Sequence, residues 1–263
     1  MGLIGGAVAQ RFLAHYGQRL GAGRMDGGAY QGRSKIETLL GPEIWDAVRG
    51  KTVLDFGCGQ GTEAIDMARH GAGHVIGLDI REEPLAIARR LAHESGVSDR
   101  CTFATATNER VDVIVALDSF EHFADPAAVL RTMHDLLVPD GLVLVSFGPT
   151  WYHPLGGHLF SVFPWAHLIF TERALIQWRS GFKADGATRF NEVDGGLNQM
   201  SIRRFRRLVR ESPLTFASFE ARPIRQLRWL ANPWTREFTT ATVRCSLVAR
   251  ASRDGASHDS RTS

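Results

Sequence analysis

A strand, a glycine-rich turn and a helix follow one another over residues 51–70, and this unit constrains the fold more than any other stretch. Residues 52–54 are β-formers in a short apolar run, which predicts a buried strand that Asp55 closes. Residues 62–70 have helical spacing. Between them the glycines alternate, as Gly57, Gly59 and Gly61. An α/β sheet uses such a unit to bring its backbone close to a nucleotide-like ligand, because a Cβ would fill the ligand's space.

The spacing of these glycines separates two kinds of ligand. A dinucleotide fingerprint reads G-x-G-x-x-G and places a pyrophosphate at the helix N-terminus, whereas here the third glycine comes one residue early. Asp55 stands just before the loop, where its carboxylate would repel a pyrophosphate and attract a cationic amine or sulfonium. S-adenosyl-L-methionine (SAM) carries both of these groups. The motif therefore favours SAM.

A second acid follows the next strand. Residues 74–79 read as a strand that ends in Asp79, eighteen residues after Gly61, where an acid hydrogen-bonds ribose hydroxyls in this kind of sheet. The pattern Asp55-x-Gly-x-Gly-x-Gly61 with Asp79 resembles the cofactor motif of class I SAM-dependent methyltransferases. The alternative is a chance glycine turn in another α/β protein. The resemblance implies a set of cofactor-binding residues: Asp55, Gly57, Cys58, Gly59, Gly61, Asp79, Ile80, Thr107, Asn108 and Asp118.

Strands and helices alternate along the rest of the core. They are the helix 82–95, the strands 101–104 and 111–117, the helix 125–138, a turn at 139–141 and the strand 142–147. Residues 201–210 predict a helix, and residues 214–221 and 239–249 predict an antiparallel pair that completes the sheet. With the resemblance, this pattern predicts an α/β, doubly wound, Rossmann-like sheet of seven mostly parallel strands, with an inserted lid after the fifth strand.

Two loops at the ends of strands carry further details of the resemblance. In the related enzymes an acid often follows the third strand and holds the adenine amino group, but this chain has Thr-Ala-Thr-Asn at 105–108. Thr107 or Asn108 could accept that hydrogen bond instead. After the fourth strand, the residues from Asp118 end in Glu121-His122, a pair that many small-molecule methyltransferases carry here. The resemblance implies that this loop borders both cofactor and substrate.

We expect five regions. Residues 1–50 form an N-terminal helical cover, 51–148 the SAM-binding core, 149–200 the lid insert, 201–250 the last helix and strands, and 251–263 a disordered tail. The insert is rich in aromatic side chains and holds three histidines, His153, His158 and His167. A long insert at the carboxyl end of a strand lies on the ligand face of such a sheet, so it predicts a substrate lid. A small separate aromatic core is the alternative, and the two are compatible.

For a hydroxyl acceptor, a histidine is the natural base near neutral pH. His158 is the first candidate, because Gly156 and Gly157 would let the backbone approach a ligand and the apolar Leu159 and Phe160 would exclude water.

Two other histidines are candidates for the same role. His153, held extended before Pro154, is the second candidate, and His122 is the third. A metal-dependent variant that uses these histidines with Asp118 or Glu121 lacks a recognisable ligand spacing, so no metal is expected.

Charge and cysteine content bound the partners and the compartment. The net charge is +3, yet residues 201–250 hold eleven arginines against three glutamates. Such an excess indicates an anionic substrate, a membrane surface or nucleic acid, or only a solvated basic face. The three cysteines form no CxxC pair, and no run approaches the length needed to span a bilayer, so a cytoplasmic location is expected.

The sequence thus predicts an enzyme that transfers a methyl group from SAM to a small-molecule acceptor, at a hydroxyl oxygen. This acceptor is anionic or apolar, and peripheral membrane contact stays open, as does the oligomeric state. The first alternative is a SAM-binding enzyme or binding protein that does not methylate, because the glycine motif reports the cofactor and not the reaction. A nucleic-acid methyltransferase comes third, since no base-reading motif accompanies the arginines.

Overall fold

The computed structural model describes residues 2–16, 34–161, 163–193 and 196–251 of the 263-residue chain. Residues 17–33 of the expected N-terminal helical cover lie outside these ranges, as do residues 252–263 of the expected tail. Within them, no helix combines the length and the apolar character that crossing a bilayer requires.

The architecture is a twisted α/β sheet in which helices pack on both faces. In the order β3-β2-β1-β4-β5-β7-β6, seven strands form one sheet within the described residues. Neighbours from β3 to β5 pair parallel, whereas β7 pairs antiparallel with both β5 and β6. The strands are β1 Thr52–Phe56, β2 His74–Leu78, β3 Cys101–Ala104, β4 Val111–Leu117, β5 Leu137–Phe147, β6 Leu214–Pro223 and β7 Thr240–Ala249. The predicted fold class is confirmed.

Ten α-helices and a 3-10 helix over Arg225–Leu230 connect these strands in the described part of the chain. The α-helices are α1 Gly6–Tyr16, α2 Lys35–Leu40, α3 Ile44–Val48, α4 Thr62–Arg69, α5 Glu82–Glu94, α6 Pro126–Leu136, α7 Ala166–Ile169, α8 Glu172–Ser180, α9 Ile202–Glu211 and α10 Arg236–Thr239. Strand β4 lies between β1 and β5, and its apolar run is buried because helices cover both faces there. The carboxyl ends of β1, β2, β3, β4 and β5 therefore form one common edge.

The start of β5 differs from the prediction. The turn expected at 139–141 lies inside the strand, which begins at Leu137. Leu137 pairs with Val111 and Leu142 pairs with Val113, with a shift of register between the two pairs. Asp140 takes the left-handed conformation, with φ of 64°. The turn residues are thus absorbed as a bulge, because the chain resumes parallel pairing with β4 on both sides of them.

A third hydrophobic core, separate from those on the two faces of the sheet, lies under the insert. It includes Trp151, Phe160 and Phe190 of the insert together with Leu13 of α1. Backbone contacts join the same elements, since the Leu3 N–H donates to the Ile169 carbonyl oxygen at 3.0 Å. The helices expected as one N-terminal cover are therefore divided. Helix α1 packs with the insert, whereas α2 and α3 pack on the sheet.

Candidate active site

The glycine loop between β1 and α4 carries three left-handed glycines, which serve two different purposes. Gly57, Gly59 and Gly61 have φ of 87°, 51° and 76°. A Cβ on Gly61 would come within 2.7 Å of the Phe103 ring, and one on Gly57 within 3.2 Å of Ser119. A Cβ on Gly59 would meet no atom within 4 Å. Gly61 and Gly57 thus allow close packing, whereas the space beside Gly59 is open for a ligand.

Asp79 ties the end of β2 to this loop. Its Oδ2 accepts a hydrogen bond from the Gly59 N–H at 3.1 Å, and its Oδ1 accepts one from the Arg81 N–H at 2.9 Å. The next residue, Ile80, exposes 89% of its surface, although it is a large apolar side chain. The pair fits a ribose with its adenine ring, because the Asp79 carboxylate can accept hydrogen bonds from the ribose hydroxyls and Ile80 offers the ring an apolar contact.

Asp55 is buried at the end of β1, and its Oδ2 has no hydrogen-bond partner among the described residues. Burial raises the pKa of this carboxyl to about 8; the charge of Glu63 adds to the rise, and Lys35 opposes it. A buried carboxylate with an oxygen that lacks a partner is costly unless a cation approaches it. The ammonium and sulfonium of SAM are such cations, so the site fits this cofactor.

Lys35 was not recognised in the sequence, but it reaches the same site from helix α2. Its Nζ lies 3.1 Å from Oδ2 of Asp118 and 3.5 Å from Oε1 of Glu63. Asp118 has a left-handed φ of 47°, and its N–H donates to the Ser146 carbonyl oxygen at 2.8 Å. The ion pairs join α2 to the ends of β4 and of the glycine loop. No spacing in the sequence links these positions.

Three further predicted cofactor residues are Thr107 and Asn108, in the loop after β3, and Cys58, whose thiol is buried. Thr107 and Asn108 follow β3 at the same sheet edge, and the Thr107 hydroxyl accepts a hydrogen bond from the Glu109 N–H at 3.2 Å. Their contact with adenine stays a prediction. The Cys58 side chain is buried in the core, which raises the pKa of its thiol. The Cys58 N–H donates to the Leu78 carbonyl oxygen at 3.0 Å, and its carbonyl oxygen accepts from the Gly61 N–H at 2.8 Å, so Cys58 holds the loop in shape and its contact with the cofactor stays a prediction.

Two of the three candidate bases lie together. The rings of His122 and His158 are 5.8 Å apart between centroids and nearly perpendicular. His122 Nδ1 lies 2.8 Å from the carbonyl oxygen of Gly196. Because a carbonyl only accepts, Nδ1 carries the proton and Nε2 of the neutral ring is a proton acceptor.

His158 is buried, and its Nδ1 has no partner in the described part of the chain. Burial, together with the smaller effects of the nearby His122 and His167 rings, lowers the pKa of His158 to about 4. The His158 ring is therefore neutral at pH 7. The neutral His158 ring thus lies beside the His122 ring.

The other histidines of the insert are engaged with its backbone. His153 Nδ1 accepts a hydrogen bond from the Leu155 N–H at 2.9 Å, and His167 Nε2 pairs with the Trp151 carbonyl oxygen. Burial lowers the pKa of each ring to about 4. In the described residues, the His153 ring makes no contact with the His122 ring. His167 is a packed core histidine.

The reason given for the two glycines before His158 is corrected by the packing. A Cβ on Gly156 would lie 2.1 Å from the Trp151 carbonyl oxygen, and one on Gly157 would lie 2.6 Å from the His167 Cβ. These glycines therefore allow the insert to pack against itself, and they do not clear space for a ligand. The sequence could not distinguish the two uses, because both require the same missing side chain.

Polar side chains hold the loop that carries His122. Glu121 accepts a hydrogen bond from the Gly148 N–H at 3.2 Å through Oε1, and its Oε2 has no partner in the described ranges. Burial raises the pKa of the Glu121 carboxyl to about 8, and nearby Asp118 adds to the rise. The Asn198 side chain donates to the carbonyl oxygens of Phe120 and Phe123 at 2.6 and 2.8 Å. Asn198, which the sequence did not single out, fixes the loop that carries His122.

Metal-ligating groups are not clustered here. In the described ranges, no group of three or more His, Cys, Asp or Glu side chains is placed to hold a metal ion.

Comparison with known proteins decides the family. A family model described as a methyltransferase domain matches residues 24–212, which is more than half of the chain. This chain belongs to the class I SAM-dependent methyltransferases. The predicted family and its cofactor, SAM, are thereby confirmed. The glycine loop, Asp55 and Asp79 are the residues of this methyltransferase that fit the cofactor.

Curated relatives of the methyltransferase align with only part of its chain. A ubiquinone biosynthesis O-methyltransferase of Aeromonas salmonicida is 43% identical over 103 residues, which are 37% of this chain and 43% of that protein. The chain spans less than half the length of the curated relatives that it matches.

Solved structures resemble this chain in fold, at low sequence identity. A SAM-dependent methyltransferase from Mesorhizobium loti has a TM-score of 0.52 at 19% identity, over 79% of this chain and 96% of its own. The [4+2]-cyclase SpnF has a TM-score of 0.53 at 15% identity, over 96% and 100% of the two chains. The fold of this methyltransferase is thus shared with a protein named for a different reaction.

Proposed function

We propose that the chain transfers the methyl group of SAM to a hydroxyl oxygen of a small molecule. The observation that carries the proposal is the hydrogen bond from His122 Nδ1 to the Gly196 carbonyl oxygen, which leaves Nε2 as a proton acceptor beside His158. A hydroxyl acceptor loses its proton during methylation, so a correctly oriented neutral imidazole is the group that the reaction needs.

The position of this base follows from the fold. His122 lies on the loop after β4, and Ser119 of the same loop packs against Gly57 of the cofactor loop. SAM, when bound, supplies an electrophilic methyl group on its sulfonium. The chain holds donor and acceptor in line and takes the hydroxyl proton at a histidine nitrogen. The ubiquinone O-methyltransferase relatives agree with a small-molecule acceptor and with oxygen as the methylated atom.

The histidine pair is a better candidate base than His153. The Nδ1 of His153 already accepts the Leu155 N–H, so its Nε2 carries the proton in the neutral ring. The His158 ring is neutral at pH 7, yet a pKa of about 4 makes it a weak base. His122 is half-buried and has a fixed tautomer. We therefore assign the proton transfer to the His122–His158 pair. Substitution of each histidine in turn tests which ring accepts the proton.

The test is a search for a methylated product. The protein is incubated with methyl-labelled SAM and fractionated metabolite extracts, and both S-adenosylhomocysteine and labelled small molecules are measured. We expect equal amounts of S-adenosylhomocysteine and of a labelled small molecule. Tight SAM binding without S-adenosylhomocysteine in any fraction would instead indicate a SAM-binding protein that does not methylate. Label in added nucleic acid would indicate the third function.

A further inference from the structure

Two tryptophans stand out from the surface on the connection between β6 and β7. We call residues 225–238 the tryptophan tip; it comprises the 3-10 helix, a turn and the start of α10. Trp229 exposes 78% of its surface and Trp234 exposes 92%. Leu230 and Phe238 are exposed as well. Large apolar side chains grouped in this way on a surface mark an interaction site.

Hydrogen bonds hold the tip in this exposed shape. The Asn232 Oδ1 accepts from the N–H groups of Trp234 and Thr235 at 2.9 and 3.1 Å. The Thr235 hydroxyl donates to the Leu230 carbonyl oxygen. At the base of the tip, the Phe238 ring packs on Tyr152 of the insert, with centroids 5.3 Å apart. The tip is therefore built to present its tryptophans outward.

Exposed arginines lie in the same segment as the two tryptophans. Arg225 and Arg228 are exposed within the tip. Its acidic side chain, Glu237, accepts hydrogen bonds from the Ile202 and Arg203 N–H groups at 3.1 and 2.7 Å. This carboxylate is thus used to cap α9, and it joins the tip to the first turn of that helix. The exposed arginines of α9 are Arg203, Arg207 and Arg210.

We propose that the tryptophan tip docks on the surface of an anionic phospholipid bilayer. Tryptophan prefers the boundary between headgroups and acyl chains, because its ring is apolar and its N–H is polar. Arginines beside such rings bind headgroup phosphates, and the combination is typical of proteins that lie on a membrane without crossing it. A second copy of this chain fits less well, because a symmetric contact would bring the arginines of the two tips together.

Vesicle binding by the full chain tests the proposal. One set of vesicles contains phosphatidylcholine alone, and the other contains phosphatidylcholine with phosphatidylglycerol. We expect sedimentation with the anionic vesicles only, weakened by added salt. The double variant Trp229→Ala with Trp234→Ala should lose roughly tenfold in partition, because two apolar surfaces no longer enter the interface.

Two charge variants and a fluorescence measurement make the test specific to the tip. Arg225→Gln with Arg228→Gln should also weaken binding by roughly tenfold, whereas Arg131→Gln, at an exposed position of α6, should not. Brominated phosphatidylcholine mixed into the anionic vesicles should quench tryptophan fluorescence in the wild type. The double variant Trp229→Phe with Trp234→Phe should abolish most of this quenching.

Five outcomes would overturn the proposal. They are the absence of binding to anionic vesicles, wild-type binding by the double alanine variant when circular dichroism shows it folded, and quenching that survives both phenylalanine changes. The fourth is light scattering in which the wild type is a dimer, the alanine variant is a monomer and neither binds lipid. That result would assign the tip to self-association. A competing nucleic acid that binds the tip more tightly than the vesicles would contradict the proposal in the same way.

Discussion

The Nδ1 atom of His122 lies 2.8 Å from the carbonyl oxygen of Gly196, which joins the loop after β4 to the end of the insert. The two residues are 74 positions apart. The same connection is reinforced next to it, because the Asn198 N–H donates to the Glu121 carbonyl oxygen at 2.9 Å. The insert therefore does more than cover the sheet edge. Its last residues orient the histidine that we place at the reacting hydroxyl.

Replacement of the paired histidines should separate rate from cofactor affinity. His122→Gln and His158→Gln should each lower kcat by roughly 10²–10⁴-fold, because general-base catalysis contributes about that much. SAM affinity, measured by calorimetry, should stay at the wild-type value. His93→Gln, at an exposed position of α5, is the matched control and should keep full activity. Full activity in both pair variants would contradict the assignment of the proton transfer to the His122–His158 pair.

The affinity for SAM should rise with pH up to about 8 and then level off. Asp55, with a pKa of about 8, is protonated near pH 6 in the free protein, and a bound cation favours its ionised form. Binding must therefore release a proton below about pH 8. Calorimetric titrations over this range should show the slope in the wild type and a smaller one in Asp55→Asn. Any titration of SAM itself affects both proteins equally, so it cancels in this comparison. Equal slopes in the two proteins would contradict the assignment of Asp55 to the cofactor.

In the ligand-free protein, the same carboxyl should make the folded state less stable as pH rises, whereas the affinity for SAM increases. The folded-state pKa of Asp55 is raised, so its contribution to stability is complete below about pH 4 and is lost as pH rises through about 8. Asp55→Asn should therefore increase the free energy of unfolding at about pH 9 by on the order of 1–3 kcal/mol. Near pH 4 the two proteins should be equally stable in urea unfolding. A destabilised variant at both pH values would show that Asp55 is already paired.

The open space beside Gly59 gives a test that separates strain from ligand contact. Gly59 and Gly50 both have left-handed φ, and a Cβ on either would meet no atom within 4 Å. Gly59→Ala and Gly50→Ala should each lose about 1–2 kcal/mol of unfolding free energy through this strain. Only Gly59→Ala should also lose SAM affinity, because its methyl group enters the ligand's space. Equal SAM affinity in the two variants would place the cofactor elsewhere.

The sequence predicted the sheet well because its signals are local. The apolar run of β4, the glycines after β1 and the acid after β2 each lie within a few residues of the feature that they determine. The bulge at Asp140 was read as a turn, because a left-handed residue in a polar stretch is typical of both.

The site was predicted only in part, since its geometry depends on contacts between distant segments. Lys35 reaches Asp118 from another helix, and Gly196 orients His122 across the insert. Neither pair leaves a pattern in the sequence. The glycines at 156 and 157 carried a signal, but packing against Trp151 and His167 explains them.

The atom that receives the methyl group is the most direct test of the proposed reaction. The product formed with ¹³C-methyl SAM is isolated, and carbon–proton correlation spectroscopy identifies the neighbour of the labelled carbon. Our account predicts an O-methyl group, formed in step with S-adenosylhomocysteine by the wild type and lost in step by the His122→Gln variant. A label on nitrogen or carbon, or S-adenosylhomocysteine without any methylated product, would contradict it.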